Sequence, residues 1–253
     1  MRIIIITQNE PFYLRSSLNY LIKLLPKNHK IVGCIVGDVS PFGKKESFLE
    51  KALKTFRIFG IFFFIHYTLK FLKHKLFEQS LNSFLISRNI PNIILTSSVN
   101  SEESLNKIKS YKPDLIISIL GNQIFKKKLI ELAPMGCINL HTALLPKYRG
   151  LMPTFWVLKN EEKFTGVSVF FVDEGIDSGP IIVQKKIKIG NLNQSELISL
   201  TKKIGMECIA EAVEKISENK INLIPNPDSE KTYFSFPTRK DVIDFNLKGK
   251  KFY

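Results

Sequence analysis

Gly136-Cys137-Ile138-Asn139-Leu140-His141-Thr142-Ala143-Leu144-Leu145-Pro146-Lys147-Tyr148-Arg149-Gly150 is the stretch that decides the fold. Gly136 to Leu140 reads as a strand buried on both faces. Asn139 and His141 are two apart, so their side chains leave that strand in the same direction. Pro146 and Gly150 then force an irregular loop. A buried strand that ends in polar groups and a loop suits an open α/β sheet, where ligands bind beyond the carboxyl ends of the strands.

Upstream, strands and helices alternate. Arg2–Thr7, Lys30–Val36, Asn92–Leu95 and Asp114–Leu120 read as short buried strands. Ser16–Leu25, Ser101–Lys109 and Gln123–Leu132 read as helices. Residues 39–82, rich in Lys and Phe, are predicted to be a helical elaboration. Downstream, Thr165–Val172 and Ile181–Ile189 are long alternating strands joined by an Asp/Gly-rich turn, which suits an antiparallel pair at one side of the sheet. Leu197–Ile216 reads as a helix. Beyond Glu218 the chain turns polar, with Pro225, Pro227 and Pro237. The expectation is a Rossmann-like α/β domain over residues 1–218, a mostly parallel sheet flanked by helices, with a short C-terminal tail at 219–253. No Gly-x-Gly-x-x-Gly follows the first strand and no P-loop is present, so dinucleotide and NTP fingerprints are absent.

The 253 residues carry 37 Lys+Arg against 23 Asp+Glu, a net charge of +14. Such a field attracts anions without choosing among nucleic acid, phosphorylated metabolites and acidic lipid. Low-GC coding also enriches Lys, Ile, Asn and Phe, so the surplus by itself assigns no partner. Cys34, Cys137 and Cys208 are widely spaced with no Cys-x-x-Cys, which argues against a disulfide framework and a zinc site. Met1–Glu10 lacks the apolar stretch and cleavage site of a signal peptide, so a cytoplasmic location is expected. Ile58-Phe59-Gly60-Ile61-Phe62-Phe63-Phe64-Ile65 is too short to span a bilayer, which takes ~20 apolar residues. A helix packed on the sheet or on a partner subunit is the preferred reading. A membrane-surface contact, with Lys51, Lys54, Lys73 and Lys75 at headgroups, is the other.

A second run, Asp173-Glu174-Gly175-Ile176-Asp177-Ser178-Gly179-Pro180, follows the predicted strand at 165–172. Asp177 sits between two glycines, in a turn that can reach the pocket of Asn139 and His141. An amide donor, an imidazole and a carboxylate suit transfer of a one-carbon acyl group to an amine. The amide stabilises the oxyanion. The imidazole, with a reference pKa of ~6.5, shuttles the proton. The carboxylate favours the protonated ring. Such chemistry needs no metal. Blander readings stay open. A histidine at a strand end is often only a polar terminus. Asp-x-Gly-x-Asp is often only a turn, although Ser178-Gly179-Pro180 breaks the calcium-loop pattern.

These residues resemble the 10-formyltetrahydrofolate-dependent formyltransferases. The motifs stand here as Asn139-x-His141, Leu144-Leu145-Pro146, Tyr148-Arg149-Gly150 and Glu174-Gly175-Ile176-Asp177-Ser178-Gly179. The likeness covers roughly residues 1–205 and is best from 112 to 190. It implies that Asn139, His141 and Asp177 are the catalytic trio. It also implies that 10-formyltetrahydrofolate is the formyl donor. The folate would lie along Gly121, Asn122, Gln123, Ile124 and Phe125 and along Val172, Asp173, Glu174 and Gly175. Asn122 departs from the Gly or Met expected in that loop, which leaves the detailed pterin contacts open.

Three acceptors fit the resemblance. The turn Thr7-Gln8-Asn9-Glu10-Pro11-Phe12 is similar to that of methionyl-tRNA formyltransferases. Only a short tail, from Asn219 on, follows the last predicted helix, which weighs against tRNA. No Gly/Ser-rich phosphate loop follows the first strand, which weighs against glycinamide ribonucleotide. An amino sugar, phosphorylated or nucleotide-linked, is the preferred small-molecule acceptor. Gln8, Asn9, Tyr148, Arg149 and Trp156 are its candidate contacts, although Trp156 suits core packing better. A folate-binding module without catalysis is the alternative of another class. Residues 39–82 are left as a membrane-surface patch, a homodimer contact or a lid over the acceptor.

Overall fold

Arg2–Gln8 forms β1, and Ile3 to Thr7 are all buried. A central parallel strand is covered on both faces, which is why an unbroken isoleucine run suits it. The computed structural model describes residues 1–39, 46–77, 79–121 and 123–253. After β1 come α1 (Leu14–Leu24), β2 (Lys30–Gly37), α2 (Phe48–Phe59), α3 (Ile61–Phe77), α4 (Leu81–Ser87), α5 (Glu102–Ser110), β3 (Leu115–Ile119) and α6 (Lys127–Ile130). The chain continues through β4 (Cys137–His141), β5 (Arg149–Gly150), α7 (Pro153–Lys159), β6 (Phe164–Phe171), β7 (Ile181–Lys188) and α8 (Gln194–Ser217). It ends with β8 (Tyr233–Phe234) and α9 (Arg239–Leu247).

The main sheet runs β2-β1-β3-β4-β6-β7. Its first four strands are parallel, and β6 and β7 join antiparallel. This is the Rossmann-like, mostly parallel sheet read from the sequence. One face packs under α1 and α8, with Ile3 and Ile5 against Leu18, Leu21, Ile209 and Val213. The other packs under α5 and α6, with Ile4 and Ile116 against Leu105, Ile108 and Leu129. Gly205 lets α8 approach β4 closely, since a Cβ there would lie 2.6 Å from Leu140. Cys34, Cys137 and Cys208 are buried free thiols.

The structure departs from the predicted elements at particular places. Asn92–Leu95 makes only one parallel bridge, Asn92 to Cys34, and no strand. The helix expected over 123–132 contracts to α6. The Asn100 side chain takes the Ile124 carbonyl and the Lys126 N–H at 2.9 and 2.8 Å, which removes the reason for a helix there. Residues beyond 218, expected as a short tail, form regular structure against the body. β8 pairs with β5, and α9 starts on a capping box formed by Thr238 and Asp241. Phe245 and Val242 are wholly buried beside Phe155. Phe245 stacks between Phe155 and Phe252 at ring separations of 4.9 and 4.6 Å.

Of the region expected as a helical elaboration, residues 40–45 and 78 lie outside the described residues, and within the rest α2 and α3 form an antiparallel hairpin, followed by α4. Phe56 meets Phe64 at 5.9 Å and Phe48 meets Phe71 at 6.5 Å. The hairpin packs on the C-terminal segment, not on the sheet: Phe59 and Phe63 lie 5.7 and 4.9 Å from the Phe252 ring.

Phe245→Ala is expected to lower the unfolding free energy by about 3–5 kcal/mol in urea titrations. A single transition, not an early partial one, is the expected curve, because this ring shares a buried cluster with Phe155 of α7 and Leu197 of α8.

Candidate active site

β1, β3 and β4 end on the same side of the sheet, where β1 lies between strands that extend the sheet in opposite directions. Such a switch point leaves a crevice. The crevice is a cleft of about 460 Å³. Asn139 and His141 line it, as do Gly150 and Asp177.

β4 fixes the first two. Asn139 sits opposite Ser118 and Phe170, and His141 opposite Ser168. His141 Nε2 lies 2.7 Å from the Tyr148 carbonyl. A carbonyl only accepts, so Nε2 carries the proton. The other ring nitrogen, Nδ1, is left for a different partner. It faces Asp177 Oδ2 at 3.6 Å, with the side chains 7% and 13% exposed. The same Oδ2 accepts the Gly150 N–H at 2.8 Å. Asn139 Oδ1 is buried with no hydrogen-bond partner among the described residues. A buried polar atom without a partner is costly, and this one lies at the cleft.

The surrounding loops are held from outside the cleft. Ser168 Oγ donates to the Ala143 carbonyl at 2.7 Å, and Gln184 Nε2 donates to the Leu145 carbonyl at 2.9 Å. The Asn226 side chain donates to the carbonyls of Asp177 and Gly179, each at 2.9 Å. Gly150 adopts a φ of +95°, and a Cβ there would lie 2.3 Å from the Phe234 carbonyl. Only glycine fits that contact.

Of the two expected folate stretches, Gly121, Gln123, Ile124, Phe125, Val172, Asp173 and Gly175 line the cleft. Glu174 faces a shallower neighbouring depression instead. Asn122 lies outside the described residues. Gln8 lines the cleft, whereas Asn9 does not; its N–H donates to the Gly37 carbonyl.

Tyr148, Arg149 and Trp156 stand behind the cleft wall. The Tyr148 hydroxyl donates to Glu162 at 2.7 Å, and burial pushes that phenol up to about 12. Arg149, only 3% exposed, bonds Asp228 and Asn226. Trp156 Nε1 donates to the Ser235 carbonyl, and its ring stacks on Phe234 at 4.7 Å.

The sequence reading missed one wall. Gln194, Ile198, Thr201 and Lys202 line the cleft from α8. Their spacing puts them on one helical face, and polar Gln194 and Thr201 among apolar neighbours were the available signal. Burial holds the Lys202 ammonium below its ordinary value, and the Glu10 carboxylate opposes that shift. Its Nζ sits 5.6 Å over the Tyr13 ring, and no described carboxylate lies within ion-pair distance. Among the described residues no three His, Cys, Asp or Glu side chains converge as a metal site.

The formyl transferase family model matches residues 72–213, more than half of the chain. The chain belongs to the formyltransferase family. It is 41% identical over 149 residues to the methionyl-tRNA formyltransferase of Kosmotoga olearia, covering 58% of this chain and 47% of that protein. It is 38% identical over 177 residues to that of Borreliella burgdorferi, covering 69% and 56%. The chain thus spans about half the length of the curated relatives it matches. Among solved structures it is similar in fold to a sugar N-formyltransferase from a Shewanella species. The TM-score is 0.61 at 18% identity, over 98% of this chain and 87% of that one. Phosphoribosylglycinamide formyltransferase from Anaplasma phagocytophilum gives a TM-score of 0.63 at 17% identity, over 94% and 99%.

Two outcomes test this geometry. Gly150→Ala is expected to displace β8 and lower the melting temperature, because the new methyl meets a backbone carbonyl that cannot turn aside. Lys202→Met is expected to raise stability at neutral pH. The folded wild type binds fewer protons at Lys202 than the unfolded chain does. Its stability therefore rises with pH from the lowered folded-state value up to the ordinary lysine value near 10.5, a gain the Met variant lacks. Urea titrations of both proteins across that window check the sign.

Proposed function

We propose that this formyltransferase moves the formyl group of 10-formyltetrahydrofolate to a primary amine, and that an amino sugar, most simply nucleotide-linked, carries the amine. The convergence of Asn139, His141 and Asp177 at one end of the cleft carries the reading. The donor fits on two observations: an Asn139 amide oxygen without a partner among the described residues, and a wall formed by Gly121, Gln123, Ile124, Phe125, Val172, Asp173 and Gly175. The bound folate supplies an activated formyl carbon.

This chain's own groups do the rest. The Asn139 amide, with its N–H₂ end turned to the formyl oxygen, donates to charge that develops there. With Nε2–H on the Tyr148 carbonyl, His141 Nδ1 accepts the proton that the attacking amine sheds. The imidazolium so formed keeps Nε2–H on the Tyr148 carbonyl and holds Nδ1–H beside Asp177, from where that proton would pass to the donor nitrogen as its bond to the formyl carbon breaks. The carboxylate stabilises that cation, while the Tyr148 carbonyl holds the ring in the tautomer that leaves Nδ1 open. Gln8, Gln194, Thr201 and Lys202 offer polar contacts to the acceptor, and Lys202 suits a diphosphate.

The methionyl-tRNA relatives favour a second reading, in which the amine is that of methionyl-tRNA. Initial rates with UDP- or dTDP-linked amino sugars and with methionyl-tRNA separate the two. Formylation of the sugar nucleotide with a shallow salt dependence is expected. Turnover of the tRNA alone, weakening steeply with salt, would replace the sugar. Folate binding without transfer to any amine would leave only a binding module.

His141→Ala is expected to lower kcat by about 10²–10³-fold while folate affinity, read by fluorescence titration, stays within a few-fold. Undiminished turnover in that variant would remove the imidazole from the reaction.

A further inference from the structure

One side of α3 is an uncovered apolar stripe. Phe62, Ile65, Leu69, Leu72 and Leu76 recur at alternating steps of three and four, so they share a face. They are 83, 49, 63, 46 and 74% exposed. The opposite side makes the contacts with the body. Tyr67 packs on Phe12 at 5.0 Å, and Lys70 Nζ donates to the Tyr13 hydroxyl at 3.1 Å. The stripe therefore points outward. On α2, Phe48, Leu49 and Leu53 add further exposed hydrocarbon. Contiguous exposed apolar surface of this extent marks an interaction site.

Charge selects the occupant. α3 holds Lys70, Lys73 and Lys75 and no carboxylate. α2 holds Lys51, Lys54 and Arg57 against the single Glu50. By helical geometry Lys73 and Lys75 flank the stripe, one on each side, and neither pairs with a described acidic group. A second copy of this helix would bring cations to cations. An apolar stripe bordered by lysines instead suits a helix lying in the headgroup plane of an anionic bilayer. No described helix is long and apolar enough to cross a membrane.

We infer that the α2–α3 hairpin docks the protein on an anionic lipid surface, the stripe entering the acyl boundary and the lysines meeting lipid phosphates. This docking is independent of the formyl-transfer reading.

Flotation of the full chain with vesicles tests it, using phosphatidylcholine alone or phosphatidylcholine mixed with phosphatidylglycerol. Binding to the mixed vesicles is expected to exceed binding to the neutral ones by about tenfold or more and to weaken with salt. Lys73→Glu/Lys75→Glu should lose about tenfold or more of that affinity. Leu69→Glu/Leu72→Glu should abolish it, with circular-dichroism melts matching the wild type. Wild-type protein that ignores anionic vesicles, or binds both kinds equally, overturns the inference. So does a lipid-free dimer, seen by sedimentation equilibrium, that Leu69→Glu/Leu72→Glu dissolves, since the stripe then belongs to a second copy. Should the variants unfold, the wild-type comparison between the two vesicles still decides.

Discussion

The Asp177 carboxylate, held by the Gly150 N–H at 2.8 Å, is the contact on which the candidate site turns. Asp177 adopts a left-handed backbone, with φ of 50°. For a residue other than glycine that costs on the order of 1 kcal/mol or more. Asn226 offsets it by clamping the backbone on either side of the turn. Gly150 in turn is placed by β8, which closes on β5 so tightly that no side chain fits between them. A segment late in the chain thus sets the position of a carboxylate from its middle, which faces an imidazole fixed by a core strand. Removing the late segment would release Asp177 even though every motif residue remained.

The sheet explains how the turn reaches the cleft at all. β4 has a parallel neighbour on one side and an antiparallel one on the other. A further parallel crossover would have carried the chain away behind a helix. The β6–β7 hairpin instead leaves a short connection at 172–180, free to fold along the cleft wall. Gly205 serves the same end from the opposite layer. By letting α8 close on Leu140, it brings Gln194, Thr201 and Lys202 to the cleft that β4 opens.

Much of this was legible because it is local. The strand from 137 to 141 announces itself by hydrocarbon, and the same-side placement of Asn139 and His141 follows from strand periodicity alone. What could not be read locally was the destination of side chains. Tyr148, Arg149 and Trp156 look as suited to a substrate as to a core. Only the arrival of Phe234, Asn226 and Asp228 from the C-terminal segment consumes them as packing and hydrogen-bonding groups. α9 was obscure because just two of its side chains, Val242 and Phe245, are buried. Its Thr238-x-x-Asp241 start was a readable cap without an apolar periodicity to support it. Asn92–Leu95 failed in the opposite way: its hydrocarbon resembles a strand, yet it lies at the sheet margin and makes one bridge.

The hairpin and the cleft share a neighbour. Lys70 of α3 donates to the Tyr13 hydroxyl, which shares a hydrogen bond of 3.0 Å with Ser195 at the start of α8. Lys202, two turns further on, lies over the Tyr13 ring. Three elements therefore meet at one tyrosine, with the exposed stripe on one side and the cleft on the other. Such contiguity fixes position; it does not by itself make a switch, because switching requires a second arrangement of the same parts. The consequence is geometric. A bilayer that received the stripe would hold the α8 wall of the cleft in one fixed relation to its surface, so that the direction from which an acceptor enters would be set by the helix that never touches it.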